Sequence, residues 1–134
     1  MKVEFSYKEK TYTFNNGRVL EFVEAPFLHF PGAFTTYDLS SKFLFSGDIW
    51  AALDIQWDLV VDDFESHIDN MNLFHIDYMA SNKAARGFVS NIEDKEIDGI
   101  LPQHGSIINK ENVVGALDYL RELRCGTDII YRDL

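Results

Sequence analysis

Apolar and polar residues alternate along the first part of the chain. Val3, Phe5 and Tyr7 are separated by Glu4 and Ser6, and Tyr12 and Phe14 resume the two-residue period after a polar break. That period belongs to strands with one buried face. Asn15-Asn16-Gly17 interrupts it with residues that tolerate the positive φ of a tight hairpin turn, and it predicts a return strand over residues 19–23. Residues 34–37 and 43–45 flank Asp38-Leu39-Ser40-Ser41-Lys42, which predicts a second hairpin. Phe43-Leu44-Phe45 is apolar without alternation, the pattern of a strand covered on both faces.

The period changes in the middle of the chain. From Asp62 onward Phe64, Ile68, Met71, Phe74 or His75, and Tyr78 recur three and four residues apart, which predicts a helix. Asp62 and Asp63 put negative charge at its start, where the helix dipole favours it. Ser81 predicts the N-cap of a second helix running to about residue 91, weakened modestly by Gly87. Residues 97–101 form a short apolar strand, followed by the loop Pro102-Gln103-His104-Gly105. Residues 112–124 predict a last helix with Val113, Ala116, Leu117 and Leu120 buried, and Gly126 stops it. No repeat, low-complexity stretch or linker divides the chain, so it reads as one α/β unit.

Composition narrows the function. With 134 residues, 46% of them hydrophobic, the chain can bury a real core. The net charge of −10 speaks against nucleic acid and against anionic membrane surfaces. One cysteine, Cys125, rules out an intrachain disulfide and makes a reducing cytoplasm the default expectation. No apolar run approaches the roughly 20 residues of a spanning helix, and the opening residues lack a signal core. There is no glycine-rich phosphate loop and no flavodoxin-like segment. Ser46-Gly47-Asp48 lacks the G-x-S-x-G context of a nucleophile elbow.

Three polar residues sit in loops at strand ends, each with a glycine within three positions: His29, Asp48 and His104. Such loops commonly carry active sites in layered α/β folds. Two imidazoles and a carboxylate make a chemically sensible metal set. On residue types alone an ordinary reading stands level with this one: polar turn histidines, and Asp48 capping a helix that begins near Ile49.

The segments Pro26-Phe27-Leu28-His29-Phe30-Pro31-Gly32, Leu44-Phe45-Ser46-Gly47-Asp48 and Leu101-Pro102-Gln103-His104-Gly105 resemble the later metal motifs of the metallo-β-lactamase fold. More narrowly they resemble its diiron branch, the flavodiiron proteins and the flavin-free oxygen-binding diiron proteins. The 19-residue interval from His29 to Asp48 suits that branch, as do Tyr78-Met79-Ala80-Ser81-Asn82-Lys83-Ala84 and Arg124-Cys125-Gly126. The resemblance implies that His29 ligates one iron, that Asp48 bridges a pair of irons, and that His104 ligates the second. Dioxygen is the implied ligand, in oxygen sensing or reduction.

The family's first metal motif, His-x-Glu-x-Asp-His, has no counterpart here, since none of His29, His67, His75 and His104 begins it. The expectation is therefore the C-terminal half of an αββα sandwich, a mostly antiparallel sheet covered by helices on one face. Its other face would be exposed apolar surface, and such surface marks an interface or an aggregation hazard. The expected partner is a second copy, forming a homo-oligomer, or a chain supplying the N-terminal half. Three other readings stay open: a mononuclear two-histidine, one-carboxylate site, a metal-free interaction or structural module, and, ranked lower, a metallo-hydrolase-like half-domain.

Further residues carry competing readings. Asp63, His67 and His75 make a second metal site or proton relay, or else a solvated helix face, and the solvated face is the favoured reading. Tyr78 and Met79 border the diiron pocket or pack in the core, with core packing favoured. Trp50 and Trp57 cover the pocket or anchor a loop. Cys125 has no second cysteine for redox chemistry and is read as structural. The run Glu93-Asp94-Lys95-Glu96 is read as a solvated helix end.

Overall fold

The computed structural model describes residues 4–6, 10–55 and 58–134, with the backbone alone for 4–6. Val3, Tyr7 and Trp57 lie outside the described residues. Among the described residues seven strands form one sheet in chain order. They are β1 (Glu4–Ser6), β2 (Thr11–Thr13), β3 (Val19–Glu24), β4 (Phe34–Asp38), β5 (Phe43–Gly47), β6 (Gly99–Pro102) and β7 (Ile108–Asn109). Neighbours pair antiparallel except β5 and β6, which run parallel. A parallel pair needs a crossover. Here it contains α1 (Phe64–Tyr78) and α2 (Asn82–Ile92). After β7 come α3 (Val113–Glu122) and the short α4 (Thr127–Ile130). No helix among the described residues is long and apolar enough to cross a membrane.

Local chemistry explains the turns. Gly17 takes a φ of 85°, and its N–H donates to the Phe14 carbonyl at 3.0 Å. In the second hairpin the Asp38 carboxylate accepts from the Ser40 N–H at 3.0 Å and the Ser41 hydroxyl at 2.9 Å. Ser81 caps α2 as predicted, its hydroxyl accepting from the Ala84 N–H at 3.2 Å. The helix runs on through Gly87.

Cross-strand register assigns side chains to faces. Val23 lies opposite Thr35, Tyr37 opposite Leu44, Leu44 opposite Ile100, and Ile100 opposite Ile108. All of these are buried, and they pack with Met71, Phe88, Val89, Ala116 and Leu120 into one core under the helices. The opposite face carries Phe22, Phe34, Phe43, Phe45 and Leu101. There Phe34 is 55% exposed, Phe45 43% and Phe43 38%. This corrects the expectation that the strand around Leu44 is covered on both sides. Leu44 is fully buried, but its neighbours Phe43 and Phe45 point to the face that no helix covers. The α/β architecture, mostly antiparallel with its helices on one face, is the one the resemblance implied.

Candidate metal centre

His29 stands in a loop tied by its own backbone. The Ala25 N–H donates to the Ala33 carbonyl and the Phe27 N–H to the Phe30 carbonyl, both at 2.8 Å. Phe27 sits in the left-handed region, with φ 66°, and the Leu28–His29 peptide is cis. Buried Leu28 anchors the loop from below, and the Ala80 N–H, just past α1, donates to the Phe27 carbonyl at 3.2 Å. The adjacent side chain, His29, is left at the surface.

Asp48 occupies a turn that follows β5. The Ile49 N–H donates to the Ser46 carbonyl and the Ala51 N–H to the Asp48 carbonyl, both at 3.1 Å. The Ser46 hydroxyl closes the turn on the Ile49 carbonyl at 2.7 Å. Trp50, with φ 63°, sends its side chain into the core, where the indole N–H donates to the Ala116 carbonyl at 2.8 Å. Of the two readings for Trp50, it anchors the loop.

These two loops bring His29 and Asp48 together. The His29 Nε2–H donates to the Asp48 Oδ2 at 2.9 Å, with the side chains 34% and 26% exposed. His104 lies in the next loop. Its carbonyl accepts from the Ala52 N–H at 3.1 Å, and the Gln103 N–H donates to the Gly47 carbonyl at 2.8 Å. Gly105 permits this contact. Its φ is 112°, and a Cβ there would lie 2.9 Å from the Ala52 nitrogen. The His104 backbone therefore packs on the turn that carries Asp48, while its side chain is exposed. Among the described residues no three His, Cys, Asp or Glu side chains form a group able to hold a metal.

Aromatic rings wall the His29 side of the pair. Phe30, Phe74 and Tyr78 stand edge-to-face with the imidazole, at centroid distances of 5.8, 5.6 and 6.2 Å. Tyr78 is exposed and borders the site, whereas Met79 beside it is a core residue. Core packing, the favoured reading for both, holds for Met79 alone.

The solvated-face reading holds for Asp63, which is exposed at the start of α1, and is corrected for His67 and His75. His67, Met71 and His75 recur every four residues and form the buried stripe of α1. His75 is fully buried. Its Nδ1–H donates to the Met71 carbonyl at 2.9 Å, and its Nε2 accepts from the Trp50 N–H at 2.8 Å. Burial pushes its pKa down from 6.5 to about 4, which keeps the ring neutral. A neutral imidazole bonded through both nitrogens is a structural clamp on the Asp48 turn. Sequence reasoning missed that role, although His75 does fall on the apolar stripe. Cys125 is buried too, and burial raises its thiol pKa to about 11, in keeping with the structural reading.

The model of the ODP family beta lactamase matches residues 2–105. Among solved structures, the peroxy diiron species of the chemotaxis sensor ODP is 38% identical, with a TM-score of 0.87 over 92% of this chain and 53% of that one. The apo state of chemotaxis sensor ODP from T. denticola is 37% identical, with a TM-score of 0.85 over 92% and 52%. Rubredoxin oxygen:oxidoreductase from the anaerobe Desulfovibrio gigas, 18% identical with a TM-score of 0.72 over 78% and 28%, shares the fold. No curated protein matches. The chain spans about half the length of the chemotaxis sensor structures it resembles.

Proposed function

The chain belongs to the ODP family of beta lactamases, and from that premise we propose that it is an oxygen-binding diiron module, or half of one, for oxygen sensing or reduction in the cytoplasm. The observation that carries this reading is the His29–Asp48 pair, joined at 2.9 Å in the two loops where the family resemblance puts metal ligands. The donor chemistry fits. A neutral imidazole and a carboxylate both bind iron, and a carboxylate has two oxygens to offer two cations. When bound, an iron pair supplies Lewis acidity and redox equivalents toward dioxygen.

The chain's own residues have distinct parts. Asp48 would be the carboxylate shared by the two irons, having an oxygen for each cation. His29 would be a ligand of one iron. His104, held beside the Asp48 turn by Gly105 and Ala52, would be a ligand of the other. Phe30, Phe74 and Tyr78 flank His29 edge-to-face. His29, Asp48 and His104 alone would not complete a dinuclear site, and a partner chain would supply further ligands. The open face of Phe34, Phe43 and Phe45 is where their carrier docks, as a second copy or as a chain bringing the other half of the sandwich.

The test is anaerobic iron loading, desalting and elemental analysis of the chain and of Asp48→Ala. Iron retained by the parent and lost from the variant is the expected result, and equal retention overturns the role of Asp48. A second reading, a metal-free interaction module, draws on the absence of a three-donor group among the described residues. It expects no iron in either protein and unchanged folding after chelation.

A further inference from the structure

We infer that the last turn of α1, through Phe74 and Tyr78, is the positioning element that fixes the His29 ring against Asp48. Phe74 and Tyr78 are four residues apart and so share one helix face. Their rings stack with centroids 5.0 Å apart at an interplanar angle of 18°. The double ring meets the imidazole nearly perpendicularly, at 88° for Phe74 and 70° for Tyr78, and Phe30 closes a third side at 77°. Edge-to-face geometry of this kind is directional, and aromatic side chains have few rotatable bonds to immobilise. Tyr78 is 58% exposed, so burial alone does not account for its ring standing there.

The ring so held presents its Nε2 to the Asp48 carboxylate at 2.9 Å. The same helix grips the other partner one residue along, because His75 accepts the Trp50 N–H two residues beyond Asp48. One helical turn therefore sets both sides of the pair. The inference rests on the proposed metal reading only for its consequence, since a ring already oriented loses less freedom when a cation binds.

The experiment uses the whole chain with Tyr78→Ala, Tyr78→Leu and Tyr78→Phe. Orientation of the His29 ring is read from nuclear Overhauser contacts of its protons with the Phe30 and Phe74 rings in metal-free protein, and affinity by titration with cobalt(II) alone. The parent and Tyr78→Phe should show a single ring orientation. Tyr78→Ala and Tyr78→Leu should show a mixture, and their cobalt affinity should fall about tenfold. Tyr78→Leu keeps apolar bulk on the helix, so a matching melting curve separates lost positioning from lost folding. An unchanged ring orientation in both non-aromatic variants overturns the inference. If the parent takes up no cobalt, the metal reading fails, and the orientation comparison still decides the positioning role.

Discussion

The backbone N–H of Trp50 donates to the Nε2 of His75 across 2.8 Å, joining the turn that carries Asp48 to α1 inside a fully buried contact. Neither group can turn to water instead. His75→Ala should leave the Trp50 N–H without an acceptor and open a cavity, at a cost of about 2–4 kcal/mol. Denaturant unfolding at neutral pH would show this as a lower midpoint with an unchanged slope. His75→Gln, which keeps an acceptor on a chain of similar length, should recover part of the loss. Equal midpoints for the parent and the alanine variant would mean that the clamp carries no stability.

The same burial makes stability depend on pH. The folded-state pKa of His75, pushed down to about 4, lies below the unfolded value near 6.5, so the unfolded chain takes up the proton first. The clamp's contribution is thus fully present above about pH 6.5 and is lost as the pH falls toward 4. Across that window a single group of this kind is worth about 3 kcal/mol. His67, lowered by burial as well, acts in the same direction. The parent should lose stability more steeply than His75→Gln between pH 6.5 and 4. Parallel curves would show that His75 does not titrate on unfolding.

Gly105 is the tightest point between the two loops after β5 and β6. A Cβ there would stand 2.9 Å from the Ala52 nitrogen and 3.1 Å from the Ala52 Cβ, at a φ of 112° that L side chains rarely adopt. Gly105→Ala should cost about 1–3 kcal/mol and push the His104 loop away from the Asp48 turn. Thermal melting checks the first part. Loss of amide-exchange protection at Ala52, whose N–H donates to the His104 carbonyl, checks the second. A variant that melts with the parent and keeps that protection would contradict the close packing.

Features written in neighbouring residues could be read directly from the sequence. Asn15-Asn16-Gly17 and Asp38–Lys42 each specify a turn by their own chemistry, and Ser81 announces the cap of α2. β7, only Ile108–Asn109, is too short to leave a periodic trace. His75 was opaque for a different reason. Whether a histidine on an apolar stripe faces water depends on what packs over it, and the covering turn lies 25 residues earlier. The apolar run at Phe43-Leu44-Phe45 gave a true signal that both faces suit burial. Nothing in that run tells that only one face is covered here. The His29–Asp48 contact was visible through family resemblance alone, because a turn and a loop 19 residues apart have no local reason to meet. His104 fell short of that contact, its neighbour relation to Asp48 running through backbone rather than side chain.

The uncovered sheet face makes a prediction of its own. Phe34, Phe43 and Phe45 put three large rings on one surface, with Phe22 stacked edge-on to Phe34 at 5.8 Å. Contiguous apolar surface of this kind drives association. Replacing Phe34 and Phe45 together by Lys removes two rings that the core does not need, since the buried side of the sheet is Leu44, Tyr37 and Val23. Stability should change by less than about 1 kcal/mol, because exposed positions contribute little to folding. Self-association in sedimentation velocity, and binding of an apolar dye, should both fall. A parent that sediments as a monomer and binds no dye would show that the face does not seek a partner. A double variant that unfolds would show that the rings support the sheet itself.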